Sequence, residues 1–387
     1  MSETPDTLLH DDLLERIRTR ASGYDRDNTF FDEDLAELAD AGYLRVLVPE
    51  EFGGLGWSLA DAVRGQLRLA GAAPATALAV NMHLVWTGVA KVLRDRGDDS
   101  LEFVMREAGN GEVFGFGISE AGNDLMLFGS RSTAEPQADG GYRYTGRKIF
   151  TSLSPAWTRL GTMGLDTESA DAPKLVYGFI DREDPDVRTL DDWDTMGMRA
   201  SQSRTTVLDG AYAASDRIVR RLEPGPNADP FIFAIFANFE LLLSSVYAGI
   251  GARALDLAVA AARRRTSMKN DGRPLSQDPD IRWRVADAAI AQDALLPQLV
   301  SLARDVDEQF DHGQLWYPKL SGMKVRATET AKQVVDQAVR VGGGSTYFAG
   351  SELGRLYRDV LAGIFHPSDD ESAHSTVANA WLGPIDA

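Results

Sequence analysis

Four short runs decide the architecture: VFGFGIS (113–119), YRYTG (142–146), KLVYGFI (174–180) and TTVLDG (205–210). Each is rich in aromatic and β-branched residues and is bounded by Gly, Pro or Asp clusters, the pattern of short strands joined by turns. They place a small antiparallel β-domain between about Glu112 and Val219. On both sides the apolar spacing changes to that of helices. Upstream, Leu9, Leu13, Leu14, Ile17 and Ala21 share one helical face, and Asp32–Ala41 forms a second amphipathic stretch that ends at Gly42. The apolar stretches Leu59–Ala73 and Thr76–Leu93 follow, with Pro74 as the break between them. Downstream of the turn EPGPNADP (223–230), the spacing predicts long helices over Phe231–Arg265, Asp280–Gln309 and Leu315–Val341. The chain therefore reads as α+β and mostly α: a helical domain over 1–111, a β-domain over 112–222 and a helical bundle over 223–387.

The composition narrows the function. With 387 residues, 44% apolar and 25% charged, the chain can bury a large core and is neither disordered nor a disulfide-stapled miniprotein. Forty Lys and Arg against fifty-eight Asp and Glu leave a net charge of −18, which disfavours nucleic acid and anionic lipid as partners. An anionic ligand must meet a local basic pocket. The absence of cysteine removes thiolate nucleophiles, Cys-ligated zinc and iron–sulfur clusters. The acidic start MSETPDTLLHDD is no signal peptide, so a cytoplasmic location is expected. Phe231–Gly251 is long enough to cross a bilayer and carries one charge, Glu240. Asn238 and Glu240 near its middle, and the lack of flanking Lys and Arg clusters, favour a buried bundle helix over a membrane span.

Four further strings, VPEEFGGLG (48–56), GRKIFTS (146–152), MGMRASQS (196–203) and GGGSTYFAGSELGRLYRD (342–359), occur in the order of landmarks in a known family. Together they resemble the acyl-CoA dehydrogenase superfamily over essentially the whole chain. The resemblance implies an N-terminal α-domain, a central antiparallel β-barrel, a C-terminal four-helix bundle, a flavin at their junction and a homotetramer built by the last bundle. A flavin needs hydrogen bonds to its ring, an apolar wall and a basic anchor for its phosphate. By resemblance Ser119 lies near the pyrimidine side of the ring, and Thr151 and Ser152 end a strand beside it, with Ser152 near N5. As residues alone, these serines read first as turn-capping hydroxyls, and only the shared order of the strings reverses that. Arg264, in RRRTSMK (263–269), takes the place of the family's anchor for the cofactor phosphates of a neighbouring subunit. Gly343 and Gly344 belong to a run that lets backbone approach a phosphate closely. Arg340, in the place of the family's glutamine before the paired glycines, is a further expected cofactor contact, but with Ser267 and Met268 it departs from the family pattern around the adenylate half of FAD, so FMN stands beside FAD as the expected cofactor.

Dehydrogenation of an acyl thioester requires a carboxylate placed to take the proton α to the carbonyl. Counting from Arg358 and Asp359, the family's usual glutamate position falls on Pro367. The rarer position, on the long apolar helix, falls on Phe239, with the acid Glu240 one residue further on. That step turns a side chain by about 100°. Glu240 reads as either a displaced base or a carboxylate paired within the bundle. The sequence instead offers His366, eight residues after Arg358. With Ser152 it resembles the flavin-dependent monooxygenases of the superfamily, of the dibenzothiophene and hydroxyphenylacetate type. That branch implies a reduced flavin supplied by a separate reductase, O₂ and a small aromatic or heteroatom-containing substrate. Such enzymes need water excluded and a hydrogen-bonding imidazole. Ser152 occurs in both branches, whereas His366 distinguishes them.

Two rival readings remain at this point. His366, Asp370 and His374 have the residue types of a two-His-one-carboxylate iron site, but Pro367 interrupts the helix, and Asp369, Asp370 and Glu371 read as first-turn acids of a new one. No metal is therefore expected. A scaffold without chemistry would explain the missing glutamate but not the retained Ser119, Ser152, Arg264 and glycine run. Trp57, Trp86, Trp157, Trp193, Phe233 and Phe236 are candidates for an aromatic pocket, with core as the alternative for each; His83, beside Trp86, carries no specific signal.

Overall fold

A computed structural model describes residues 4–385; Met1–Glu3 of the acidic start lie outside the described residues. Six helices come first: α1 (Pro5–Leu8), α2 (Asp11–Asp27), α3 (Asp32–Asp40), α4 (Leu59–Ala72), α5 (Pro74–Arg94) and α6 (Glu102–Gly109). The stripe read from the sequence packs as expected, since α2 buries Leu13, Leu14, Ile17 and Ala21. Pro74 sits in the first turn of α5, where its missing N–H has no intrahelical acceptor to lose.

Eight strands follow: β1 (Phe114–Gly117), β2 (Thr133–Pro136), β3 (Tyr142–Thr151), β4 (Arg159–Asp166), β5 (Lys174–Asp181), β6 (Val187–Thr189), β7 (Arg204–Ala213) and β8 (Ile218–Leu222). Their order is β6-β7-β3-β2-β4-β5-β8, with β1 also against β4. This corrects the expected antiparallel barrel. The sheet is mixed, because β1 and β2 both run parallel to β4, and β6 and β8 stand at the two ends of the path. Side-chain alternation fixes which face a residue takes and says nothing about the direction of the neighbouring strand. The continuous burial of β1 is the mark of a strand covered on both faces.

The second helical part opens with α7 (Pro230–Arg264), capped by Asp229, whose carboxylate accepts the N–H of Phe231 at 2.8 Å. A short hairpin of β9 (Thr266–Ser267) and β10 (Arg273–Pro274) leads to α8 (Pro279–Asp293), α9 (Leu295–Asp307), α10 (Trp316–Gly342), α11 (Glu352–Val360) and α12 (Asp370–Leu382). The single helix expected over Asp280–Gln309 is two, because Pro297 has no N–H to give the carbonyl of Asp293 and the chain breaks at Ala294. Helices α7 to α10 pack together as the expected four-helix bundle, and α7 also lies against α4, α5 and α11. Both α5 and α7 are long and apolar enough to cross a membrane, yet both are mostly buried inside the protein. Asp307 ties the two helical parts together, accepting the N–H groups of Leu59 and Ala60 at 2.9 and 3.1 Å at the start of α4.

Helices α4 and α7 approach closely at Gly249, where an added Cβ would lie 2.4 Å from the carbonyl oxygen of Leu67. Gly249→Ala should therefore lower unfolding free energy by about 1–3 kcal/mol in urea denaturation, the usual range for overpacking. Gly344→Ala, where a Cβ meets nothing within 4 Å, should stay within about 0.5 kcal/mol of the parent.

Candidate active site between the sheet and the helices

A cavity of about 410 Å³ opens where the sheet, α5, α7 and the chain after α11 meet. Leu78 and Met82 come from α5, and Phe239 comes from α7. Ser119 and Glu120 follow β1, while Phe150 and Ser152 stand at the end of β3. Trp193, Met196, Met198, Phe365 and His366 complete the lining.

Local backbone geometry places these groups. Phe150 and Leu153 have φ of +56° and +61°, so the FTS string reverses direction tightly, and Ser152 N–H donates to Phe150 O at 2.9 Å. The turn leaves Phe150 54% exposed at the cavity, edge-on to Trp193 at 6.1 Å. Ile149 N–H donates to Ser119 O at 2.9 Å, which holds the ends of the two strands together. Ser152 Oγ shares a 2.8 Å hydrogen bond with Ser203 Oγ, which shares another of 2.8 Å with Ser201 Oγ. Glu120 is fully committed: its oxygens accept from Lys148 Nζ at 2.5 Å, Ser130 Oγ at 2.7 Å, Ser132 Oγ at 2.6 Å and Arg131 N–H at 2.6 Å. Burial opposes its ionisation, but Lys148 and these donors hold its carboxyl well below the usual range.

The strings MGMRASQS and GRLYRD interlock. Met198 N–H donates to Asp359 at 2.6 Å, and Arg358 Nη1 donates to Met196 O at 2.8 Å. Between them Gly197 is pressed so close that a Cβ would lie 2.3 Å from Arg358 O. Arg358, the cation at the cavity, is itself paired with Asp25 of α2.

His366 lines the cavity with its Nε2 buried and without a hydrogen-bond partner among the described residues. Burial, aided by the nearby Lys324 cation, lowers its pKa to about 3, so the ring is neutral near pH 7. Glu240 is turned away. Phe239 faces the cavity, while Glu240 Oε1 accepts Ser368 N–H at 3.0 Å and Ser368 Oγ at 2.8 Å. Burial raises its pKa to about 7 against the opposing effect of Ser368 and Lys324.

Other expected site residues lie elsewhere. Thr151 is buried behind the lining, where Ser154 Oγ donates to its carbonyl at 2.6 Å. Arg264 is exposed at the end of α7, Arg340 is exposed and paired with Asp336 at 2.7 Å, and Gly343 and Gly344 follow α10; none lines the cavity. Arg265, rather than Arg264, reaches the glycine run, donating from Nη1 to Val341 O and Gly342 O. His83 is a satisfied core residue: one ring nitrogen meets Leu44 O at 2.7 Å and the other accepts Phe114 N–H at 3.0 Å. Trp86 donates to Gly115 O in the same core. Asp370 and His374 are exposed one turn apart on α12, and the described residues contain no group of three or more His, Asp or Glu arranged for a metal ion. Sequence reasoning misses Ser203, Asp359 and Lys324. Ser203 and Asp359 belong to quoted strings, and Lys324 is a lone cation on a helix face with Leu320, Ala327 and Ala331, which is a readable signal.

Family models agree with this architecture. The acyl-CoA dehydrogenase N-terminal domain matches residues 10–101 and the acyl-CoA dehydrogenase C-terminal domain matches residues 234–367. The amino sugar nitrososynthase DnmZ of Streptomyces peucetius is 30% identical over 389 residues, covering 96% of this chain and 92% of that protein. The putative acyl-CoA dehydrogenase YdbM of Bacillus subtilis (strain 168) is 28% identical over 372 residues, covering 95% and 94%. A structure of KijD3 in complex with FMN and dTDP-3-amino-2,3,6-trideoxy-4-keto-3-methyl-D-glucose superposes with a TM-score of 0.84 at 27% identity, covering 99% of this chain and 94% of that one. The fold and the cavity are those of a flavin-dependent oxidoreductase. The chain belongs to the acyl-CoA dehydrogenase family.

The buried state of Glu240 is measurable. Its carboxyl binds a proton in the folded protein up to about pH 7 but only to its ordinary value near 4.5 when unfolded, so the wild type loses stability as pH rises through that window. Glu240→Gln lacks this loss. Its melting temperature relative to wild type should rise between pH 5 and pH 8 by roughly 2–4 °C, and a pH-independent difference would contradict the placement.

Proposed function

We propose that the chain is a two-component monooxygenase that uses reduced flavin and O₂ to oxygenate a heteroatom of a small, largely apolar molecule. One observation carries this reading: the cavity holds a neutral imidazole and no free base carboxylate. Among the described residues Glu120 is the carboxylate lining it, and both its oxygens are engaged. Glu240 points into the bundle at Ser368, and Pro367 stands where the family's usual base would be. Abstraction of an α proton needs a basic group within reach of the substrate.

The residues fit a flavin. Ser119, Ser152 and Ser203 offer hydroxyls, Phe150, Trp193 and Phe239 offer apolar faces, and the orphaned Nε2 of His366 awaits a polar partner. When bound, the reduced cofactor supplies the electrons that activate O₂. The buried side chains of Met82 and Phe116 give the cavity an apolar inner wall that disfavours water, which suppresses wasteful release of peroxide. Ser152 Oγ, backed by Ser203 and Ser201, can rotate to donate a hydrogen bond into the cavity. Held neutral by its lowered pKa, His366 carries a proton on one ring nitrogen and leaves the other as a hydrogen-bond acceptor.

FMN is the favoured cofactor. The 27%-identical KijD3 structure contains it, and Arg340, already paired with Asp336, is poorly placed to replace the family's contact to an adenylate. Exposed Tyr347, Phe348 and Trp381 support self-association, in which Arg264 would face a neighbouring subunit. The relative DnmZ is an amino sugar nitrososynthase, which makes amines the first heteroatom class to test. The lining favours an uncharged body over a nucleotide-linked one, since its cation Arg358 is held by Asp25.

Titration with FMN and FAD followed by aerobic turnover with reduced FMN and a panel of lipophilic amines tests the proposal. Mass spectrometry should detect a product heavier by one oxygen. His366→Ala should lower its yield at least tenfold while hydrogen peroxide rises, and Ser152→Ala should weaken flavin binding several-fold, the scale of one lost hydrogen bond. Anaerobic bleaching of bound oxidised flavin by an acyl-CoA, with no oxygenated product, would reject the monooxygenase in favour of a dehydrogenase.

A further inference from the structure

The segment that carries His366 is gripped from two helices by buried polar groups that the reaction itself does not use. Lys324 of α10 donates from Nζ to the carbonyls of Gly363 and His366, each at 2.8 Å. Glu240 of α7 accepts the N–H and the hydroxyl of Ser368, and Ser321 Oγ stands 3.2 Å from that hydroxyl. The contacts fall on either side of Pro367, one on the carbonyl before it and one on the N–H after it. Pro367 contributes a fixed φ and no donor of its own. Both charged side chains are about 1% exposed.

Burying such a pair is a poor way to gain stability, since apolar side chains of similar volume commonly do as well or better. What directional hydrogen bonds add is placement. We propose that Lys324 and Glu240 are positioning residues, a clamp that fixes the backbone of His366–Ser368 so that the imidazole is presented to the cavity. The role assigned to the imidazole rests on the monooxygenase reading; the clamp does not. Both sets of hydrogen bonds survive a change of protonation, because a neutral carboxyl still accepts and a neutral amine still donates. Burial brings the two groups towards each other in acidity, with Lys324 lowered to about 8 and Glu240 raised to about 7.

Hydrogen–deuterium exchange on the full-length protein reads the clamp directly. Lys324→Met and Glu240→Ala should each speed exchange across residues 361–368 at least tenfold and leave β3 and β4 unchanged. Glu240→Gln, which keeps an acceptor, should exchange within about threefold of wild type. Unchanged exchange in both disruptive variants overturns the clamp. In turnover with reduced FMN, the two variants should shift the peroxide-to-product ratio towards that of His366→Ala with KM nearly unchanged, and Glu240→Gln should restore it. Faster exchange with an unshifted ratio overturns the link to His366. Should wild type oxygenate nothing, the monooxygenase reading fails, and exchange still decides the clamp. Should Lys324→Met not fold, the contrast in exchange between Glu240→Ala and Glu240→Gln decides it instead.

Discussion

The carboxylate of Asp359 accepts a hydrogen bond from the backbone N–H of Met198 inside the protein, and this contact anchors the loop that walls the cavity. The partners lie 161 residues apart, one on a loop hung from the sheet and the other in the last turn of α11. Burial pushes the carboxyl of Asp359 up to about 6, against the opposing pull of Arg355, so the acid is kept at an electrostatic cost. Its neighbour Arg358 ties the same helix turn to Met196 and, through Asp25, to α2. A single turn of helix thus joins all three parts of the chain. This joint places the stretch from Met196 to Met198 in the cavity wall, which also includes Phe365 and His366.

Much of this was legible. The apolar stripes of α2, α4, α5 and α7 and the position of Pro74 follow from residue spacing alone, and the helix capped by Asp369 was readable from its acidic first turn. Strand neighbours were not, because alternation is a property of one strand and pairing is a property of two. Within the site, Ser119, Ser152 and His366 come together at one cavity although 247 residues separate the first from the last. Glu240 shows the limit of counting. A one-residue offset on a helix decides between facing a cavity and facing a neighbouring backbone, and no spacing argument measures where the neighbour lies. Arg340 shows another: a basic residue at a familiar place on a helix is not thereby free for a ligand, since its charge is already matched by Asp336 one turn away.

Four acids of the protein interior fall into two groups. Glu120, at the cavity, is surrounded by donors and a lysine, so it stays ionised and unreactive. Glu240, Asp34 and Asp359 are buried away from it with carboxyls shifted upward by desolvation. Beside Glu120 and Arg358, both held by partners, the cavity is lined by hydroxyls, sulfur, aromatic faces and one uncharged imidazole. Such a lining has little affinity for a free proton, which suits the oxygenation we propose better than abstraction of a proton from a substrate.

Position 239 and position 240 together connect this chemistry to the fold. On α7 the side chain at 239 looks into the cavity and the one at 240 looks at the chain that bears His366. A carboxylate at the first place would be a base beside the substrate; a carboxylate at the second holds Ser368, two residues beyond the imidazole. With phenylalanine at 239 the cavity gains an aromatic wall, stacked on Phe116 at 5.7 Å, and loses its proton acceptor in the same step. With glutamate at 240 the bundle gains a fixed point for the residue that we assign to the replacement chemistry. An acid at 239 would add an ionisable group to the cavity, and an apolar side chain at 240 would leave the N–H of Ser368 buried and unpaired.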